Sequence, residues 1–339
     1  MRQKLEHWLN ETWYGGSKPP GWLCALVPIY RALFKLDRQW KSANRPDDLA
    51  GKKIVVVGNI TVGGSGKTPL VIRLCRVLHQ AGLRPGVVSR GYGRSSREMI
   101  DVGPDSAATD TGDEPLVIAR RTGAPVVVSA DRCAGARHLF ERGVDVVITD
   151  DGLQHHRLPR CIEICVVDGE REFGNGMLLP AGPLREPVGR LNEVDFVVIN
   201  GSEPLGSLDE KAVRMLFVPG LLYSLSGEET WRLSQFAGCR VNALAGIGNP
   251  ERFFKTLEQG GLQLKKHVFP DHHVYSASDF SSLEPGWPTI MTEKDAVKCR
   301  GLELDNAWYL SVEASLSSAW EQSLLARLVA SPGGSPASV

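Results

Sequence analysis

The sequence predicts an α/β protein: a P-loop NTPase-like parallel sheet with helices on both faces, a smaller second α/β domain, and an amphipathic N-terminal helix. Three observations carry this. A strand–glycine loop–helix unit occupies residues 52–81, short β-branched runs separated by helix-like stretches follow it, and a second strand–helix cycle begins near residue 241.

The first 20 residues are polar, carry Trp8, Glu11 and Trp13, and end in Pro19-Pro20, so they lack the apolar core of a secretory signal and point to a chain kept inside the cell. Residues 21–36 are apolar but too short, and too interrupted by Pro28, Arg31 and Lys35, to span a bilayer. With Trp8, Trp13, Trp22 and Tyr30 on the apolar side and Arg31, Lys35, Arg38 and Lys41 free for anionic head groups, the segment suits an interfacial helix. An amphipathic helix packed on the body fits the same pattern.

Next comes the run Ile54-Val55-Val56-Val57, which leads through Gly58 and Asn59 into Thr61-Val62-Gly63-Gly64-Ser65-Gly66-Lys67-Thr68. Glycines let successive N–H groups curl round one anion, Lys67 can reach the β/γ-phosphates, and the Thr68 hydroxyl can ligate Mg²⁺. Leu70, Val71, Leu74, Val77, Leu78 and Ala81 then recur at helical spacing up to Gly82, with Pro69 near the helix start. Thr61 stands where the usual phosphate-loop pattern has its first glycine.

Further apolar runs at 86–89, 125–129, 145–149, 162–167 and 196–200 alternate with helix-like stretches and predict parallel strands. The stretch 201–240, with Pro219-Gly220 and Ser226-Gly227, reads as irregular and as the crossing between domains. The second cycle has strands at 241–245, 263–269 and 289–291, a helix carrying Phe253, Phe254 and Leu257, and a helix from about Glu293. The expected organisation is an N-terminal segment 1–45, a P-loop domain 46–220, a smaller domain 221–330 and a frayed Ser/Pro/Gly-rich tail 331–339.

Lys+Arg and Asp+Glu both number 39, which gives no support to a nucleic-acid partner. Seven scattered cysteines without a Cys-x-x-Cys pair read as reduced thiols, and Cys161 and Cys165 fall in a strand-like run where burial, not metal binding, is expected.

Val146-Val147-Ile148-Thr149 ends in Asp150-Asp151-Gly152, placing carboxylates at a strand's carboxyl end, where a phosphate-bound Mg²⁺ would need them; a turn-forming Asp-Asp-Gly is the bland alternative. In Thr111-Gly112-Asp113-Glu114-Pro115, Asp113 could cap a helix or take a proton from an alcohol acceptor. Ser89-Arg90-Gly91-Tyr92-Gly93-Arg94 could grip an anionic substrate or form a surface loop. His272 and His273 lack Cys/His partners at metal spacing; one of them could orient a catalytic carboxylate, or both could be structural. Thr292-Glu293-Lys294-Asp295 has its lysine one place late for the guanine-binding pattern Asn/Thr-Lys-x-Asp, which argues against guanine specificity.

Taken in order, residues 59–69, 89–94, 112–115, 150–157, 174–176 with 179–187, 269–273 and 292–298 resemble the tetraacyldisaccharide 4′-kinase family, the lipid A 4′-kinases of Gram-negative bacteria, over most of the chain. The family loop has the form Thr-Val-Gly-Gly-x-Gly-Lys-Thr, so Thr61 fits it. The resemblance implies ATP and Mg²⁺ as cofactors and transfer of the γ-phosphoryl group to the 4′-hydroxyl of tetraacyldisaccharide 1-phosphate, giving the bis-phosphorylated lipid A precursor. It implies a peripheral enzyme on the cytoplasmic face of the inner membrane, held by its N-terminal helix, with a glycolipid substrate and no obligate protein partner. It also implies residues 61–68 as the nucleotide loop, Thr68, Asp150 and Asp151 as metal contacts, Lys67 as the phosphate cation, Asp113 as base and His272 as its partner. A nucleotide-dependent switch or metal-insertion chaperone, which would need a protein partner, and a soluble small-molecule kinase remain the rival readings.

Overall fold

A computed structural model describes residues 2–94, 96–201 and 211–331. Two helices open the chain, α1 (Arg2–Tyr14) and α2 (Gly21–Ala43). The first half of the sheet follows: β1 (Ile54–Gly58), α3 (Lys67–Gln80), β2 (Pro85–Ser89), β3 (Ile100–Asp101), α4 (Ala108–Thr111), α5 (Asp113–Thr122), β4 (Val126–Val128), α6 (Arg132–Glu141), β5 (Val146–Thr149), β6 (Ile162–Asp168) and β7 (Phe196–Asn200). The second half comprises β8 (Ala212–Ser224), β9 (Thr230–Arg232), β10 (Arg240–Ala245), α7 (Pro250–Gln259), β11 (Gln263–Val268), β12 (Thr289–Thr292), α8 (Glu293–Cys299), β13 (Ala307–Ser315) and α9 (Ser318–Ala330).

The strands join in the order β11-β10-β12-β13-β8-β7-β6-β1-β5-β2-β4-β3, with β9 on β8. Pairing is parallel except for β3–β4, β8–β13 and β8–β9. Every residue of β1, β2, β4, β5 and β7 is buried, which is why these strands read as unbroken Val/Ile runs rather than alternating ones. Cys165 is buried in β6 and Cys161 leads into it, its thiol 3.3 Å from the Ile54 carbonyl; all seven cysteines are free thiols.

The region expected to be irregular around 201–240 instead contains the longest strand. Residues 212–215 of β8 pair with β7 in parallel, and residues 216–224 pair with β13 in the opposite sense, so one strand runs through both halves. Pro219 lies where only β13 flanks the strand, opposite Val312 and next to a register shift at Leu310/Val312, the kind of edge or irregular position to which proline in a sheet is confined. Gly220 is required by close approach: a methyl group there would lie 2.3 Å from Ser311 Oγ.

Each half has its own apolar packing. Phe253, Phe254 and Leu257 of α7 bury against Val241, Ala243, Ile290 and Trp308, while α8 covers the other face with Ala296 and Cys299 against Leu244 and Met291. Trp320, Leu324 and Leu328 of α9 cross back to pack on the first half. The tail expected over 331–339 lies, beyond Ser331, outside the described residues.

Helix α2 presents two apolar faces. Leu23 is buried, and Val27 and Tyr30 pack on the body; Tyr30 donates to Arg185 O at 2.9 Å, and the Phe34 ring meets His156 edge-on. Trp22, Leu26, Ile29, Leu33, Leu36 and Trp40, spaced three and four apart, stand in solvent, with Trp22 62% exposed and stacked on Trp8. Trp13 and Tyr30, expected on the interfacial side, instead face the body, Trp13 Nε1 donating to Pro180 O at 3.1 Å, and Arg38 and Lys41, expected to be free, pair with Glu193 and Asp37. Among the described residues no helix is long and apolar enough to cross a membrane.

Candidate active site

Strands β5 and β1 are parallel neighbours, with Val56 beside Thr149, so the loop after β1 and the carboxylates after β5 emerge side by side at the carboxyl edge. The loop after β1 carries residues 61–68. Gly66 caps α3 with φ +92°, a left-handed conformation that disfavours any side chain, and a methyl group there would also strike Asn200 and Phe217. Asn200 Nδ2 donates to Ser65 O at 3.1 Å. The start of the loop is braced by the 179–187 segment: Val62 N–H donates to Pro183 O at 2.8 Å and Thr61 bridges to Leu184.

Lys67, first in α3, lies 3.2 Å from Asn59 Oδ1 and 3.4 Å from Asp151 Oδ1. Asp151 also receives Arg185 at 3.1 Å. Burial works against its ionisation, but Lys67 and Arg185 outweigh it and hold the carboxyl below the usual range. Asp150 is the opposite case. It is 2% exposed, neither carboxylate oxygen has a hydrogen-bond partner, and burial, aided by the charge of Glu114, pushes it up to about 7. A buried carboxylate without donors is costly unless a cation satisfies it.

This is the fit expected of a divalent metal held by a P-loop hydroxyl, a strand-end carboxylate and phosphate oxygens. Thr68 is buried at the start of α3 and Asp150 is the free carboxylate, whereas Asp151 is already committed to two cations. No group of three or more His, Cys, Asp or Glu side chains suited to a metal occurs among the described residues, and a site completed by substrate oxygens does not need one.

Asp113 opens α5 and is 5% exposed. It is not the cap, a place taken by Gly112; its Oδ1 accepts the Glu114 N–H at 2.9 Å and its Oδ2 meets His272 Nδ1 at 3.1 Å across 159 residues of chain. Burial opposes its charge, but His272 and then Lys294 prevail and hold it below the ordinary carboxylate range, while the bond to Asp113 raises His272 against its own burial. His272 has φ +58° and Asp151 φ +55°, two of the four non-glycine residues with positive φ among the described residues; strain of this kind gathers at functional sites. His273 points elsewhere, 3.3 Å from Asp279 and packed on Phe269 and Tyr275.

The His272 loop sits by the phosphate loop. A methyl group on Gly248 would lie 3.5 Å from Asp271 Oδ2 and 4.0 Å from Gly64 N. Lys294, from α8, bonds to Glu114, and the two together tie the second half to the start of α5. Tyr92 lies 5.0 Å from the His272 ring, whereas Arg94 turns back to Glu98 O. Arg132 is buried, donates to Asp151 O at 3.3 Å and leaves its Nε and Nη1 unpaired beside the same carboxylates. Gln154 bonds to Asn59 O and Glu186, while His156 turns away toward α2.

Several of these contacts were not legible as site residues in the sequence. Asn59 and Arg185 lie inside recognisable motifs, but nothing local assigns them to Lys67 and Asp151. Arg132 and Asn200 carry no signal beyond their place at the start of a helix and the end of a strand.

A mostly parallel sheet with a glycine loop, its lysine and hydroxyl, and paired strand-end aspartates defines a P-loop phosphotransferase. The LpxK family model, tetraacyldisaccharide-1-P 4′-kinase, matches residues 20–329, and the chain belongs to this family. It is 46% identical over 333 residues to the tetraacyldisaccharide 4′-kinase of Hahella chejuensis, covering 95% of this chain and 96% of that protein. It is 43% identical over 337 residues to the enzyme of the same name from Methylobacillus flagellatus, covering 97% and 98%. The fold matches a crystal structure of LpxK from Aquifex aeolicus in complex with ATP, with TM-score 0.74 and 28% identity over 90% of this chain and 98% of that one.

Proposed function

We propose that this chain binds ATP and Mg²⁺ and transfers the γ-phosphoryl group to the 4′-hydroxyl of tetraacyldisaccharide 1-phosphate at a membrane surface, the cytoplasmic face of the inner membrane. The observation that carries the reading is the Asp113–His272 contact beside the phosphate loop, 3.1 Å long and made between the two halves of the sheet.

In this reading the backbone of residues 61–66 and Lys67 hold the β- and γ-phosphates, with Lys67 exchanging Asn59 and Asp151 for phosphate oxygens. Thr68 and Asp150 would hold the metal, with Asp151 beside them, and when bound it would neutralise phosphate charge. Asp113 accepts the sugar hydroxyl proton as the new O–P bond forms and the bond to the β-phosphate oxygen breaks, releasing ADP. His272 holds the Asp113 carboxylate in place. Because His272 and Lys294 come from the smaller domain, read as residues 221–330, the base is positioned only when that part meets the kinase domain, read as 46–220.

The exposed stripe Trp22–Trp40 on α2 supports a peripheral membrane contact, since its apolar residues stand in solvent, Trp22 touching only the Trp8 ring among the described aromatic residues, and are flanked by Arg31 and Lys35. The test is transfer of label from γ-labelled ATP to tetraacyldisaccharide 1-phosphate in mixed micelles by wild type and Lys67→Ala. Labelled lipid from wild type alone is expected; no transfer by folded, ATP-binding wild type would overturn the assignment.

A further inference from the structure

The second half of the sheet meets the first near the phosphate loop at two places. One holds the Asp113–His272 and Glu114–Lys294 contacts; at the other, Arg171, in the loop after β6, donates Nη2–H to Gly248 O, in the loop after β10, at 2.9 Å. We propose that Arg171 is a positioning residue: it latches the loop at 246–249 beside the phosphate loop and thereby seats His272 on Asp113, and it is itself braced by the end of α1. The inference rests on the reaction assigned above and adds a residue on which the Asp113–His272 pair depends.

Arg171 is held firmly from behind. Asp168, at the end of β6 and 6% exposed, accepts the Glu170 N–H at 2.9 Å and the Arg171 N–H at 3.3 Å on its Oδ1. Glu172, the next residue, is a further non-glycine residue in the left-handed region, with φ +46°. The Arg171 guanidinium lies 5.5 Å from the centre of the Tyr14 ring, and Tyr14 is the half-buried last residue of α1. That end of α1 is seated on the same loop: Asn175 N–H donates to Trp13 O at 2.9 Å, and a methyl group on Gly174 would lie 2.6 Å from Trp13 O. Toward its other end Trp8 stacks on Trp22, so one short helix joins the exposed stripe of α2 to Arg171.

The grip on the second half is double. Beside the Gly248 contact, Asn249 Nδ2 donates to Glu170 Oε2 at 3.3 Å. Asn249 stands at the N-cap of α7, a place where asparagine ordinarily bonds to the first turn, yet its side chain makes no capping bond. What is held at 246–249 also holds the His272 loop. Phe269 N–H donates to Ala245 O at 2.9 Å, and a methyl group on Gly246 would lie 3.2 Å from Pro270 O. Without the charge-assisted Arg171 bond the second half stays joined through β8, but the fraction of molecules with His272 on Asp113 falls, and kcat falls with that fraction.

The experiment measures kcat with saturating ATP and tetraacyldisaccharide 1-phosphate, ATP affinity by equilibrium titration, and hydrogen exchange of residues 246–250. The variants are Arg171→Met, which keeps the stem and removes the donor, Arg171→Lys, Tyr14→Leu, His272→Ala and Arg171→Met/His272→Ala, each checked for an unchanged thermal midpoint. Arg171→Met should lower kcat about tenfold, leave ATP affinity within about twofold, and speed exchange at 246–250 about tenfold. Arg171→Lys, which retains a charged donor, should recover most of the loss. The double variant should be within about twofold of His272→Ala alone. Tyr14→Leu should show a smaller loss of the same kind, and it keeps the test available if Arg171→Met does not fold. Wild-type kcat in folded Arg171→Met, losses that multiply with His272→Ala, or a loss confined to ATP affinity would overturn the role. If wild type transferred no phosphate, the function assigned above would fail, and the exchange comparison would decide the latch: faster exchange in Arg171→Met would support it and unchanged exchange would overturn it.

Discussion

The two halves of the sheet contribute to the site in different ways. The first half supplies groups fixed on strand ends and a helix start: residues 61–68 after β1, and Asp150 and Asp151 after β5, its parallel neighbour. The second half supplies His272 and Lys294, the former from a loop residue with φ +58° and the latter from the first turn of α8. In the proposed function the first half carries the phosphate and metal contacts, while the proton-accepting end draws on both halves through the Asp113–His272 contact. On the proposed reading, ATP binding and acceptor chemistry rest on different supports, and the difference between the halves is what the following variants probe.

The largest effect is expected at the phosphate-binding end. Lys67→Ala removes the cation that follows charge onto the transferring group and should lower kcat by at least about 10²–10³-fold, read from initial rates with labelled ATP. Asp113→Ala should lower kcat by about 10²-fold while leaving ATP affinity near wild type. A large loss of ATP affinity in that variant would break the division between the halves.

Lys294→Met sharpens the same division at the second half. Asp113 is held below the ordinary range by His272 and then Lys294, so losing the lysine raises it, and the acid limb of the kcat–pH profile should move to higher pH. An unmoved limb would leave Lys294 only its bond to Glu114.

Asp150→Asn tests the first half without turnover. The Asp150 carboxyl is pushed up to about 7 in the folded chain, above its unfolded value, so the native state binds more protons between about pH 4 and pH 7 and ligand-free stability falls as pH rises through that window. The asparagine variant should melt higher than wild type above pH 7, by a difference of about a few kcal/mol, and should lose stabilisation by Mg²⁺ with nucleotide. A lower melting temperature at pH 8 would show that the carboxylate is already satisfied.

The smallest effect concerns neither half. Trp22→Ser with Leu33→Ser on the exposed face of α2 should weaken binding to anionic vesicles by about tenfold, with little change in thermal midpoint. Unchanged vesicle binding would remove α2 from the membrane contact.

How much of this was legible in the sequence follows the same divide. The phosphate loop could be read because its glycines, lysine and threonine are contiguous and the strand and helix flank them. Asp150 and Asp151 could be read because they end an apolar run. Asp113 and His272 stood in sequence as a helix cap and a structural histidine as readily as a pair, since no spacing rule joins residues 159 apart; the family resemblance, not the local pattern, singled them out. Strand β8 was read as irregular because Pro219-Gly220 interrupts it and because its partners change along its length, which removes any steady alternation. The double-faced α2 supported two readings because helical periodicity reports apolar faces without saying what covers each.

The central claim is that Asp113 and His272 act as one unit across the two halves. A double-mutant cycle on kcat tests it most directly, using Asp113→Ala, His272→Ala and the double variant with tetraacyldisaccharide 1-phosphate and saturating ATP. The account predicts strong non-additivity, the double variant being about as slow as Asp113→Ala alone. Losses that multiply in the double variant would show two independent contributions and contradict it.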